Sequence, residues 1–172
     1  VTSEDGRVSK EDIEQVSSLA KGRDLPEERV VIHHLRRPYR LDNRSVEKPL
    51  NLEGEHLEAS YWTVHGNARK IGDAIHIING FNLHVDDVIL SAVAAGSVVA
   101  SEEEKQNGCL VIDIGRGSTD YAAYQSGRCV VAGSFPLGGD HISNDLSIGL
   151  RMRLNQAESL KHRYGSAIVE HK

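Results

Sequence analysis

"CLVIDIGRGSTDYAAY", residues 109–124, sets the frame for the rest of the chain. Four apolar residues, 109–112, run into Asp113; two glycines then flank Arg116, two hydroxyls follow, and a second acid precedes another apolar stretch. A strand that ends on a carboxylate and turns back through Gly115 and Gly117 has two physical readings. In the first, the glycines permit positive φ and remove Cβ atoms, so that backbone N–H groups converge on an anion, with Ser118 and Thr119 adding hydroxyl donors. Asp113 would then hold the water shell of Mg²⁺, which commonly keeps one or two carboxylates beside phosphate oxygens. In the second, the segment is a tight β-hairpin that needs glycine and exposes a capping acid. A short glycine motif does not decide between them.

The surroundings of this stretch read as alternating strands and helices. Three strands are expected, 110–114, 119–125 and 128–135, with Ser126-Gly127 as the hairpin turn and Gly138-Gly139 ending the run. Helix signals follow over 140–150 and 155–164, the second with Asn155 as N-cap. Upstream, residues 87–90 read as a short strand, 92–100 as a small-residue helix, and Glu102-Glu103-Glu104-Lys105 as a charged surface connection. The first eighty-odd residues form a separate α+β pattern. Ser9-x-x-Asp12 opens a helix with a capping box, and Ile13, Val16, Leu19 and Ala20 mark its apolar face. Residues 30–35 read as a strand, followed by a polar connection punctuated by Pro38 and Pro49. Residues 53–66 alternate as one long strand; a second helix from about Ala68 carries Ile71, Ala74, Ile75, Ile78 and Phe81 on one stripe.

The totals exclude several classes. In 172 residues, 39% hydrophobic and 26% charged content describe a globular chain, and a net charge of -5 argues against a broad nucleic-acid footprint. Cys109 and Cys129 make neither a metal spacing nor a disulfide framework, consistent with a reducing cytosol, and read as small core residues. The longest nearly uncharged stretch, 88–100, is shorter than the about 20 residues needed to span a bilayer. His33 and His34 neighbour each other on a strand and point to opposite faces, so they do not chelate one metal. Arg36, Arg37 and Arg40 form a local basic cluster suited to a solvated loop or to a partner's acidic tail. With Val1 in place of Met and an abrupt end at Lys172, an excised piece of a longer protein is expected.

The order strand-acid, Gly-x-Gly-Ser/Thr, strand, turn, strand, Gly-Gly, helix resembles the second phosphate loop of the actin-like ATPase superfamily. Within it, "VIDIGRGSTDYAAY" (111–124), "FPLGGDHISNDLSIGL" (135–150) and "AESLKHRYGSA" (157–167) resemble the FtsA family of bacterial cell division, as do "GRVSKEDIEQV" (6–16) and "HGNARKIGDAIHIINGFNLHVDDVIL" (65–90). The resemblance is collinear over nearly the whole chain. It implies a mixed α+β and α/β fold: an SHS2-like inserted subdomain over 1–84, the end of a first actin-like lobe over 85–106, and the start of a second, ribonuclease-H-like lobe over 107–172.

Carried over residue by residue, Asp113 resembles the metal-side acid, and Gly115, Gly117, Ser118 and Thr119 the phosphate loop. Glu158 and Lys161 would face ribose and adenine; otherwise they are an i, i+3 pair on a solvated helix face. The implied cofactors are ATP and Mg²⁺, bound by the full-length protein and poorly or not at all by this segment. The implied role is an actin-like scaffold that polymerises and links the tubulin-like division protein FtsZ to the membrane, alongside other division proteins, at the cytoplasmic face of the division site. Membrane contact would come from a C-terminal helix absent from this chain; no nucleic-acid partner is implied. Two departures bear on turnover. Arg116 replaces the middle glycine of a three-glycine loop, either blocking phosphate or adding charge to it, and Ser91-Ala92 replace a Glu-Pro pair. At most a weak ATPase is therefore expected. The alternatives are an actin-like type IV pilus assembly protein and an exopolyphosphatase-like or sugar-kinase-like phosphotransferase.

Overall fold

Ser9 caps the first helix as its spacing predicts. The structure, a computed structural model, describes residues 1, 6–22 and 24–168. Helix α1, Lys10–Lys21, begins with a reciprocal box: Asp12 N–H donates to Ser9 Oγ at 3.1 Å, and Ser9 N–H donates to Asp12 Oδ2 at 2.9 Å. Two of the four orphan N–H groups at a helix start are satisfied this way. Of the predicted apolar face, Ile13, Val16 and Ala20 are half-buried, whereas Leu19 is exposed.

Strand β1, Arg29–Arg36, pairs antiparallel with β5, Tyr61–Asn67, with an irregularity between Val31 and His33. His33 and His34 do face apart. His34 Nδ1 lies 3.2 Å from Thr63 Oγ1 on one side, and His33 Nε2 accepts from the Leu90 N–H at 3.1 Å on the other. The polar connection expected after β1 is instead a hairpin. Strands β2, Tyr39–Leu41, and β3, Arg44–Val46, meet at Asp42 and Asn43, whose φ values of 47° and 65° suit the tight turn. The long alternating strand expected over 53–66 is two: β4, Leu57–Glu58, joins β2, and after a break at Ala59-Ser60 the chain enters β5 beside β1. Alternation continues through the break, so periodicity does not reveal it. Helix α2, Ala68–Asn79, starts at Asn67, whose Oδ1 accepts from Lys70 N–H at 3.0 Å.

Residues 87–90 form no strand and join none of the three sheets; the Leu90 N–H bonds the His33 side chain instead of a strand backbone. Helix α3, Ser91–Val99, follows directly. The charged connection is helix α4, Glu102–Asn107, begun by a second capping box between Ser101 and Glu104 and ended at Gly108, φ 104°. Strands β6 (Cys109–Ile114), β7 (Thr119–Gln125) and β8 (Arg128–Phe135) form the expected antiparallel meander in the order β6-β7-β8. Ser126 and Gly127 turn it at φ 52° and 74°. Helices α5, Gly139–Gly149, and α6, Leu154–Tyr164, pack on each other. The start of α6 is Arg153, not Asn155, which lies inside the helix; Arg153 N–H is met by Gln156 Oε1 at 3.2 Å.

The core joins the two halves. Val64 of β5 packs with Ala92 of α3, Ala122 and Tyr124 of β7, and Ala132 of β8, surrounded by Ile32, Leu35, Val93, Cys109, Val111 and Cys129. The cysteines are free and partly buried, as expected of small core residues. Gly96 is required here by space: a Cβ on it would overlap the Tyr124 ring. Close approach of a small-residue helix is what lets α3 lie against β6 and β7.

Candidate functional site

The loop between β6 and β7 and the start of α5 are built on each other. Gly115 N–H donates to Ser118 O at 2.9 Å, closing a tight turn. Gly139 and Asp140 N–H donate to the carbonyls of Gly115 and Arg116, at 3.0 and 2.8 Å. Two orphan N–H groups of α5 are thus satisfied by the loop itself. A Cβ on Gly138 would lie 2.6 Å from both loop carbonyls, so any other residue here must push loop and helix apart. Gly115 and Gly117 do not adopt positive φ, contrary to the first reason for their presence; positive-φ glycines among the described residues are Gly6, Gly108 and Gly127. What the turn leaves open are the N–H groups of Arg116, Gly117 and Ser118, which donate to nothing among the described residues.

Beside this loop lies a cavity of about 650 Å³ walled by Ile114, Gly115, Arg116, Gly139, Asp140, Glu158 and Lys161, among others. Three of the sequence-predicted residues, Gly115, Glu158 and Lys161, therefore meet at one cavity. Gly117 and Ser118 sit at the exposed tip of the loop, outside that wall. Thr119 is turned away: its buried hydroxyl donates to Leu137 O at 2.7 Å. Asp113 stands on β6 opposite Asp120 of β7. Asp120 Oδ2 in turn accepts from Ser91 Oγ at 2.5 Å, which ties the first turn of α3 to the head of the hairpin.

Glu158 and Lys161 form more than a helix-face pair. Lys161 Nζ donates to Glu158 Oε2 at 2.8 Å and to Gly139 O at 2.9 Å, reaching from α6 to the first residue of α5. Ser143 Oγ also bonds Glu158 Oε2, and His162 Nε2 lies 2.8 Å from Oε1. These donors, Lys161 foremost, hold the Glu158 carboxyl at about 2, well below its ordinary 4.5. Sequence reasoning missed Ser143 and Asp140; their signal was the i to i+3 spacing of two polar residues following Gly-Gly. Asp140 accepts from Arg116 Nε through both oxygens, at 3.0 and 2.8 Å, and this hydrogen-bonded carboxylate raises the guanidinium's proton affinity further.

Two family models match this architecture in order. The model for "SHS2 domain inserted in FtsA" covers residues 1–65, and that for "Cell division protein FtsA" covers residues 110–172. The chain belongs to the FtsA family. Similar curated relatives are the cell division proteins FtsA of Pseudomonas aeruginosa, 33% identical over 167 residues, and of Bacillus subtilis, 31% identical over 171. These alignments take in 96% and 99% of this chain but 40% and 39% of the relatives, so the chain spans about two fifths of an FtsA. A solved PilM–PilN type IV pilus biogenesis complex shares the fold, with a TM-score of 0.56 at 20% identity over 93% of this chain and 46% of that one. The fold is thus an FtsA-type SHS2 unit followed by actin-like elements. Among the described residues, no helix is long and apolar enough to cross a membrane, and no group of three or more His, Cys, Asp or Glu could hold a metal ion.

Proposed function

We propose that the full-length FtsA-family protein carrying this segment binds Mg-ATP at the cavity beside residues 115–118 and acts as a self-assembling scaffold of the division site. The observation that supports it is the set of three consecutive unpartnered N–H groups, Arg116, Gly117 and Ser118, next to a cavity of nucleotide dimensions. Converging backbone N–H groups are a recurring way of holding phosphate. Gly117 and Ser118 would hold phosphate together with the Arg116 N–H, Gly115 would close the turn that presents them through its bond to Ser118 O, and Glu158 and Lys161 would border the nucleoside. Thr119 would act by fixing the loop through Leu137 rather than by touching phosphate. Asp113 would hold Mg²⁺ through water, with Asp120 facing it across the ladder; such carboxylates suit a hydrated hard cation. When bound, Mg²⁺ would neutralise phosphate charge.

Hydrolysis would be weak. Ser91 occupies the place before the crossover helix where the related phosphotransferases need a carboxylate, and its hydroxyl is engaged with Asp120. This supports a scaffold over an enzyme of the same superfamily. In this reading, 1–84 is the partner-contacting inserted unit, 85–106 closes the first lobe and 107–172 opens the second. The tubulin-like ring protein FtsZ, other division proteins and further copies of itself are the partners, and the inner face of the membrane at the septum is the location.

Calorimetric titration of the full-length protein with Mg-ATP, with and without Gly117→Asp, tests the site. A Cβ at Gly117 meets nothing within 4 Å, so the substitution is sterically accommodated and acts by placing an anion beside the open N–H groups. Binding by the unmodified protein that Gly117→Asp abolishes is the expected result. Equal binding by both would sink the assignment.

A further inference from the structure

Arg116 stands where the FtsA-like loop ordinarily has glycine, and its side chain takes a defined position. Nε alone is used, donating to both oxygens of Asp140. The terminal Nη1 and Nη2 donate to nothing among the described residues, and the side chain is 85% exposed. Both Arg116 and Asp140 border the cavity. The other cation on that wall, Lys161, spends its ammonium on Gly139 O and Glu158. Arg116 is therefore the wall cation with donors to spare, and it projects from the residue whose own N–H opens the series of three.

A guanidinium anchored by Nε presents its two NH₂ groups as a planar fork, the geometry that grips phosphate oxygens in pairs. We propose that Arg116 is a phosphate-chelating arm of this site, aimed by Asp140 as its positioning residue, and that it favours polyphosphate ligands. The anchor leaves the fork free, so no existing bond need break when an anion arrives. The proposal rests on the nucleotide-binding reading given above.

The test is calorimetry on the full-length protein with Mg-ATP and, separately, adenosine, comparing the unmodified protein with Arg116→Gly, Arg116→Lys and Asp140→Asn. Arg116→Gly is expected to weaken Mg-ATP about tenfold or more, as loss of a charged, forked contact does, and to leave adenosine affinity unchanged. Arg116→Lys restores only part of the loss, because a point charge replaces a fork. Asp140→Asn, which leaves the arm charged but unaimed, weakens Mg-ATP about threefold. Mg-ATP binding by Arg116→Gly that equals or exceeds that of the unmodified protein overturns the arm while leaving the nucleotide site standing. Equal weakening of Mg-ATP and adenosine also overturns it, because the residue would then only shape the cavity. An unmodified protein that binds no Mg-ATP overturns both the arm and the reading beneath it. Should Arg116→Gly unfold, Arg116→Lys carries the comparison alone, and unreduced Mg-ATP affinity in it is the overturning result.

Discussion

The indole N–H of Trp62 donates to the carbonyl of Ala132 at 2.6 Å, joining β5 of the inserted unit to β8 of the actin-like sheet across 70 residues of sequence. Around it, Arg128 of β8 pairs with Glu47 just after β3, and Leu90 N–H reaches His33 of β1. The bond is polar and sits at the margin of the shared core. Trp62→Phe keeps most of the ring's packing but leaves the Ala132 carbonyl without that donor. The expected cost is about 1 kcal/mol, read as a lower denaturation midpoint at unchanged slope. An unchanged midpoint would mean the contact adds nothing net.

Gly138→Ala should be costly, because Gly138 is buried at the start of α5. The added Cβ meets two backbone carbonyls at 2.6 Å, which cannot rotate aside as a side chain would. The loop and the start of α5 must separate to admit it. A loss of about 1–3 kcal/mol is expected, measured by chemical unfolding. Gly117→Ala, with open space around it, is the matched control and should fall within about 0.5 kcal/mol of the unmodified chain.

Glu158 gives the chain a specific acid sensitivity. Its folded carboxyl titrates at about 2, against an ordinary 4.5, through Lys161, Ser143 and His162. A depressed carboxyl stabilises the folded state fully above pH 4.5, and that contribution is lost as pH falls from 4.5 toward 2. Thermal unfolding of the chain and of Glu158→Gln should therefore differ most near neutral pH and converge at the acid end of this window. A difference that does not shrink between pH 4.5 and 2 would remove Glu158 as the cause.

Leu110, Ile112 and Ile114 lie on the exposed face of β6 at 58%, 55% and 71% exposure, and β6 is an edge strand with one side unpaired. An apolar edge of this kind recruits a second strand. The isolated chain is expected to associate beyond the monomer, as judged by light scattering at rising concentration, and Ile112→Glu should reduce that association. A monomeric mass throughout would contradict the expectation.

The second half of the chain was the more legible, for physical reasons. Each of its strands contains a four-residue apolar run, 109–112, 121–124 and 129–132, and Gly108, Ser126-Gly127 and Gly138 each mark a backbone conformation or close approach that few other residues allow. The first half hides its structure. The β2–β3 hairpin buries Tyr39 and Leu41 but, Val46 aside, is otherwise polar, and its signal, Asp42-Asn43 in the left-handed region, is easily taken for a loop. Helix α4 looked like a bare charge run, although Ser101 and Glu104 spell a capping box. At the site, the loop and the α6 pair could be named from residue type and spacing. The Arg116–Asp140 anchor and the turning away of Thr119 could not, because both depend on how α5 meets the loop in space.

That meeting has a mechanical consequence. With the carbonyls of Gly115 and Arg116 bonded to the first N–H groups of α5, and Lys161 of α6 bonded to the same turn, loop and helices are coupled like links in a train. A load applied at the loop tip travels along the 11 residues of α5 toward exposed Leu150, whereas α6 is held near its C-terminal end, with Lys161 only one turn before exposed Tyr164. Under the proposed nucleotide reading, the exposed end of α5 at Leu150, rather than the loop, is the surface that would register a filled cavity.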